Sequence, residues 1–131
     1  MATHRVLVVE DDDGTQTLLR KLLSSKGFVV EVASNGLEGL MHIESARPDC
    51  IVCDINMPEL DGFQFVRAIK ARPQTHSIPV IFLTASTDAR HIVDGINVGA
   101  RFYVTKPFEM NELVWKIKRV LPDEPQAQSS Y

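Results

Sequence analysis

The chain has 131 residues, 44% hydrophobic and 24% charged, which fits one compact domain with an ordinary core and not two. With 14 basic and 17 acidic residues the net charge is -3, so nothing draws the chain in general toward nucleic acid or anionic lipid. No apolar run approaches the roughly 20 residues that span a bilayer, and two cysteines make no disulfide framework, so a cytoplasmic setting without membrane or direct nucleic-acid partners is expected.

In chain order, the first strand is predicted over residues 5–9. The first helix carries Leu18, Leu19, Leu22 and Leu23 on one stripe, has Asp13 and Gln16 at capping-box spacing, and is stopped by Gly27. Asp12 and Asp13 read as structural, because acids favour a helix N-terminus. A second strand, 29–33, leads to a helix starting at Asn35, with Glu38 as box partner, Leu37, Leu40 and Met41 packing inward, and an end before Pro48. The third strand, 49–53, holds Cys50 and Cys53 at the C-x-x-C spacing of redox sites. Residues three apart on a strand face opposite ways, so both read as buried packing residues.

The third helix is predicted over 60–71 with Phe65, Val66 and Ile69 inward. A strand at 79–83 and a helix at 87–98 come next, the latter packing through Ala89, Ile92, Val93 and Ile96. The last pair is a strand at 101–104 and a helix at 109–121. On that final helix Trp115 turns away from Leu113, Ile117 and Val120, toward Asn111, Lys118 and Arg119, where an exposed aromatic would meet a partner. His4, His42, His76 and His91 have no metal-ligand spacing and are expected to be solvated. Residues 122–131 have no apolar period and are expected to form a disordered tail, which bounds the domain at 1–121.

Strand and helix patterns alternate five times, the signature of an α/β fold. The near-continuous apolar strands are those of a parallel sheet covered on both faces. Right-handed crossovers then wind helices onto both faces, and ligands bind beyond the carboxyl ends of the strands where strand order reverses. Polar residues stand at those ends: Glu10 and Asp11 after the first strand, Asp54 after the third, Thr84 after the fourth and Lys106 after the fifth.

Carboxylates at Glu10, Asp11 and Asp54 would repel one another by about 4 kcal/mol per pair at ~4 Å and an effective dielectric near 20, so they call for a cation between them. All-oxygen ligands favour a hard ion, and Mg²⁺ suits a site with few carboxylates that shares a phosphate. One carboxylate can then act as a nucleophile toward phosphorus, with Lys106 and Thr84 holding phosphoryl oxygens.

Val8-Val9-Glu10-Asp11-Asp12, Asp54 with Met57-Pro58 and Asp61-Gly62, Thr84-Ala85, Gly99-Ala100, and Tyr103 followed by Lys106-Pro107-Phe108 stand in order at matching spacings. In these the chain closely resembles the receiver domain of two-component response regulators, including the single-domain chemotaxis member, over residues 5–121. The resemblance supplies the strand order 2-1-3-4-5 of a flavodoxin-like, doubly wound α/β/α sandwich. It implies Asp54 as phosphoacceptor, Asp11 as a direct Mg²⁺ ligand (Mn²⁺ as substitute), Glu10 as a ligand through water, and Asn56 lending a backbone carbonyl. Thr84 and Tyr103 resemble the switch pair and Lys106 the phosphate-binding lysine. Small Ala85 leaves the acceptor open, and Lys106-Pro107 is expected cis. Arg101-Phe102 departs from the family, which more usually has small or acidic residues there.

The implied function is a signalling switch. A histidine kinase or histidine phosphotransfer protein donates phosphate to Asp54, and the face formed by the fourth helix, fifth strand and fifth helix changes its binding to a downstream protein. The protein would be a monomer or a phosphorylation-dependent dimer, and a stand-alone or excised receiver without an output domain. It would not be a turnover enzyme, since any catalysis serves its own phosphorylation and dephosphorylation. A phosphorylation-independent scaffold is the alternative, though it gives no reason to keep Glu10, Asp11, Asp54, Thr84 and Lys106 together. An aspartate-nucleophile phosphatase would need a general acid where Asn56 stands.

Overall fold

The computed structural model describes residues 3–122, so the expected tail lies, but for its first residue, outside the described residues. Five strands and five helices alternate: β1 Arg5–Val9, α1 Asp13–Ser25, β2 Val29–Ala33, α2 Gly36–Ser45, β3 Cys50–Cys53, α3 Gly62–Lys70, β4 Val80–Thr84, α4 Ala89–Asn97, β5 Phe102–Thr105 and α5 Met110–Val120. All pairings are parallel and the order is β2-β1-β3-β4-β5, as the resemblance implied.

Successive strand residues point to opposite faces, and the sheet therefore carries two separate cores. One gathers Val6, Val8, Cys50, Val52, Ile81 and Leu83 against Leu19 and Leu23 of α1 and Leu113 and Ile117 of α5. The other gathers Leu7, Val9, Ile51, Cys53 and Phe82 against Ile43 of α2 and Phe65, Val66 and Ile69 of α3. Cys50 and Cys53 fall on opposite faces, both buried and both free, which removes the redox reading.

Several helix details differ from the sequence reading. Asp12, not Asp13, caps α1, its carboxylate accepting from the Thr15 amide at 2.8 Å. Gln16 instead turns its amide to the Glu10 carbonyl and to Ser34 Oγ. Leu18 is left exposed beside the buried pair Leu19 and Leu23. Asn35 caps α2 as expected, but the Glu38 carboxylate accepts from the Ser34 amide, one residue earlier than a capping box requires.

Leu37 and Met41 are exposed, because α2 lies on its glycines: a Cβ at Gly39 would stand 2.8 Å from the Phe65 ring, so only the bare backbone comes this close. On α4 the expected inward residues Val93 and Ile96 are likewise exposed, while Gly95 is buried. The third helix begins two residues later than predicted, at a full capping box between Asp61 and Gln64. Trp115 is exposed as expected, with the Arg119 guanidinium 5.2 Å from its ring.

Candidate functional site

β1 and β3 lie side by side where the strand order reverses, and backbone pairing runs past the strand ends to fix the residues just beyond them. The Glu10 amide donates to Ala33 O at 2.9 Å, the Asp54 amide to Val9 O at 3.0 Å and the Lys106 amide to Thr84 O at 2.8 Å. Glu10, Asp54 and Lys106 are thus each the next rung of the sheet's ladder.

Glu10 and Asp54 are buried and Asp11 is exposed; one carboxylate oxygen from each lies within 4.8 Å of the others. Lys106 reaches into this group with its ammonium 2.6 Å from Glu10 Oε1 and 3.5 Å from Asp54 Oδ2. The backbone holds the other oxygens. The Asp12 amide donates to Glu10 Oε2 at 3.0 Å, and the Ile55 amide donates to Asp54 Oδ1 at 2.7 Å, fixing the plane of that carboxylate.

Burial pushes the Glu10 carboxyl above its usual range, and the hydrogen bonds from Lys106 and the Asp12 amide only partly offset this, with the Asp54 charge adding to the rise. Burial pulls the Lys106 ammonium down, but the bond to Glu10 and the nearby Asp54 charge outweigh it and leave its pKa raised. The site therefore combines an excess of negative charge with one resident cation. Its hard oxygen donors, closer together than like charges tolerate, fit a divalent ion such as Mg²⁺.

The close approach of α3 to the site backbone depends on a glycine. Gly62, first residue of α3, donates its amide to Ile55 O at 2.8 Å, and a Cβ there would collide with the Asp54 carbonyl and come within 2.8 Å of Ile55 Cα. Asp61-Gly62 is thus the contact that lets α3 close on the backbone carrying Asp54. Asn56 lies exposed two residues past Asp54, and Ala85 is exposed after β4.

Thr84 is fully buried at the end of β4, its hydroxyl accepting from the Ser86 amide at 3.4 Å. Tyr103 is half-buried on the opposite face of β5 from Phe102, and its hydroxyl donates to Ser86 O at 2.9 Å. Ser86 thus joins the two residues of the expected switch pair. The Lys106-Pro107 peptide is cis, as expected. Ser86 and Gln16 escape a reading of the sequence, since a serine in a loop and a glutamine in a first helical turn carry no distinctive spacing. His91, expected in solvent, is half-buried with its ring 5.7 Å from that of Phe63.

An acidic cluster, two of its three carboxylates buried, facing a lysine at the switch point of a 2-1-3-4-5 sheet defines a receiver-type domain. Residues 6–118 match the profile of the response regulator receiver domain, and the chain belongs to that family of two-component signalling proteins. The response regulator MprA of Mycobacterium ulcerans is 38% identical over 117 residues, which cover 89% of this chain and 50% of that protein. The chain spans about half the length of the curated relatives it matches. The chemotaxis protein CheY4 of Vibrio cholerae is similar in structure, with a TM-score of 0.86 and 35% identity over 92% of this chain and all of that one. The receiver domain of sensor histidine kinase PA1611 from Pseudomonas aeruginosa has a magnesium ion coordinated in its active site cleft. It is similar with a TM-score of 0.84 and 31% identity, over 91% of this chain and 98% of that one. Among the described residues no helix is long and apolar enough to cross a membrane.

Proposed function

We propose that residues 1–121 form a phosphoryl-accepting switch in which Asp54 takes a phosphoryl group from the phosphohistidine of a histidine kinase or phosphotransfer protein. The observation that carries this reading is the convergence of Glu10, Asp11 and Asp54 within 4.8 Å, with the Lys106 ammonium against two of them. An oxygen of Asp54 forms the new P–O bond as the P–N bond to the donor imidazole breaks; its electron pair stays on that ring nitrogen, and the imidazole, protonated on its other nitrogen beforehand, leaves neutral. The Ile55 amide keeps the Asp54 carboxylate in one orientation for that attack. Lys106, already beside Asp54, is placed to hold a phosphoryl oxygen, and Thr84 offers its hydroxyl to another.

Asp11, Asp54, Glu10 through a water, and the Asn56 carbonyl would hold Mg²⁺ or Mn²⁺. The ion would neutralise charge on the carboxylates and on the transferring group. The chain assists its own phosphorylation and dephosphorylation and turns over no separate substrate. When Thr84 moves toward the phosphoryl group, Tyr103 follows through Ser86, and the face of α4, β5 and α5 changes. That face carries exposed Val93, Ile96 and Trp115, a suitable surface for a downstream protein or a second copy. The exchange would take place in the cytoplasm.

Acetyl phosphate or beryllium fluoride is expected to modify the protein only with a divalent cation, and Asp54→Ala to abolish the modification. Undiminished labelling of that variant would remove Asp54 from the role.

A further inference from the structure

Ser86, in the loop between β4 and α4, has every polar group engaged by a different neighbour. Its amide donates to Thr84 Oγ1 at 3.4 Å, its carbonyl accepts from Tyr103 Oη at 2.9 Å, and its hydroxyl oxygen accepts from the Asp88 amide at 3.4 Å. That leaves the hydroxyl proton for His91 Nδ1, 2.7 Å away on the first turn of α4. His91 is itself seated in a row of rings: 5.7 Å from Phe63 of α3, which lies 5.5 Å from Phe82 of β4, which lies 6.2 Å from Tyr103 of β5. The rest of α4 is thinly anchored. Gly95 is its one buried residue, whereas Val93 and Ile96 face solvent.

We propose that His91 is the catch that fastens α4 to the preceding loop, and that the line Thr84, Ser86, His91 carries a displacement at the acceptor site into α4. A helix held by little buried side-chain area depends on such a contact more than a helix with a full apolar stripe does. His91 is a positioning residue, since it reaches the site only through Ser86. The first half of the proposal is independent of the role of Asp54; the second half rests on Asp54 being the acceptor.

Amide hydrogen exchange of the full chain tests both halves, read at Ile92 and Val93 with and without beryllium fluoride and Mg²⁺. His91→Phe keeps a ring beside Phe63 but removes the acceptor, and Ser86→Ala removes the donor. Loss of one hydrogen bond is expected to raise exchange of these amides about fivefold in either variant without ligand. At Ile92 and Val93 the double variant is expected to go no further than either single one, because each loses the same bond between Ser86 and His91; the Asp88 amide, whose acceptor Ser86→Ala also removes, stays outside this comparison. With beryllium fluoride, wild type is expected to change its exchange at α4, and the variants to lose most of that change while still being phosphorylated by acetyl phosphate, followed by intact mass. Unchanged exchange in both single variants, or effects that add in the double variant, would overturn the catch. A wild type that loads without any change at α4 would overturn the coupling. Failure of the wild type to load would instead count against Asp54 as acceptor, and the comparison without ligand would still decide the catch.

Discussion

At the scale of single residues, the proposed function divides the site into groups that would hold a cation and a group that would answer to the phosphate. Lys106 places its charge on Glu10 at 2.6 Å and reaches Asp54 only at 3.5 Å, so phosphate arriving at Asp54 would compete with Glu10 for it. Asp11→Ala should weaken Mg²⁺ binding by on the order of tenfold or more, whereas Lys106→Ala should leave it intact or strengthen it, since a competing cation is gone. Isothermal titration with Mg²⁺ checks this, and equal losses in both variants would contradict the division. Lys106→Ala should also lower stability to urea by about 1–3 kcal/mol, because it leaves the buried Glu10 carboxylate without its cation. Glu10→Gln, which relieves that burial, should cost less.

The two cysteines show how burial sets chemistry at the same scale. Burial, with the neighbouring Asp49 charge, pushes the Cys50 thiol up to about 12, and burial pushes Cys53 well above its ordinary value. The folded protein should therefore resist alkylating reagents at pH 8 while the denatured chain reacts fully, as a timed thiol assay would show. For Cys50 the folded value lies above the unfolded value of about 8.5, so between the two the folded state binds the extra proton. Its contribution to stability is complete below about pH 8.5 and is lost as the pH rises toward 12.

At the scale of elements, the sequence made the strands and the site legible for one reason and obscured two helix faces for another. Short apolar runs each ending in a polar residue located the strands to within a residue and placed Glu10, Asp11, Asp54, Thr84 and Lys106 at one edge of the sheet. The helices were harder, because an apolar stripe marks the buried face only when side chains make the contact. On α2 glycines make the closest approach and the large residues nearby turn outward, so hydrophobicity pointed to Leu37 and Met41 instead of Gly36 and Gly39. A buried glycine hides the inward face of α4 in the same way, with Val93 and Ile96 exposed around Gly95. Side-chain contacts across loops, such as Ser86 with His91, leave no periodic trace at all. Gly62→Ala, which would drive a methyl into the Asp54 backbone, should destabilise by about 2–3 kcal/mol or more. Leu37→Ala should stay within about 0.5 kcal/mol. Urea denaturation checks both, and a loss of about 2 kcal/mol or more in Leu37→Ala would mark that residue as inward.

At the scale of the whole molecule, the proposed acceptor site lies at the carboxyl edge of the sheet, and the surface it would control is formed by α4, β5 and α5. The carboxyl ends of β1, β3, β4 and β5 carry the site's polar groups, while Val93, Ile96 and Trp115 lie exposed on α4 and α5. Trp115, with Phe102 6.5 Å away and Arg119 over its ring, has the aromatic and cationic character of an interface anchor. In a calorimetric titration of the phosphomimetic form with its downstream partner, Trp115→Ala should weaken binding by up to a few kcal/mol and leave modification of Asp54 unchanged. The central claim, phosphoryl acceptance by Asp54, is tested most directly by locating the adduct. Protein treated with acetyl phosphate should gain one phosphoryl group with Mg²⁺ and none with a chelator. The adduct should be cleaved by hydroxylamine, as an acyl phosphate is, and peptide mapping after borohydride reduction should place it at Asp54. An adduct that forms without a divalent cation, resists hydroxylamine or maps to another residue would contradict the account.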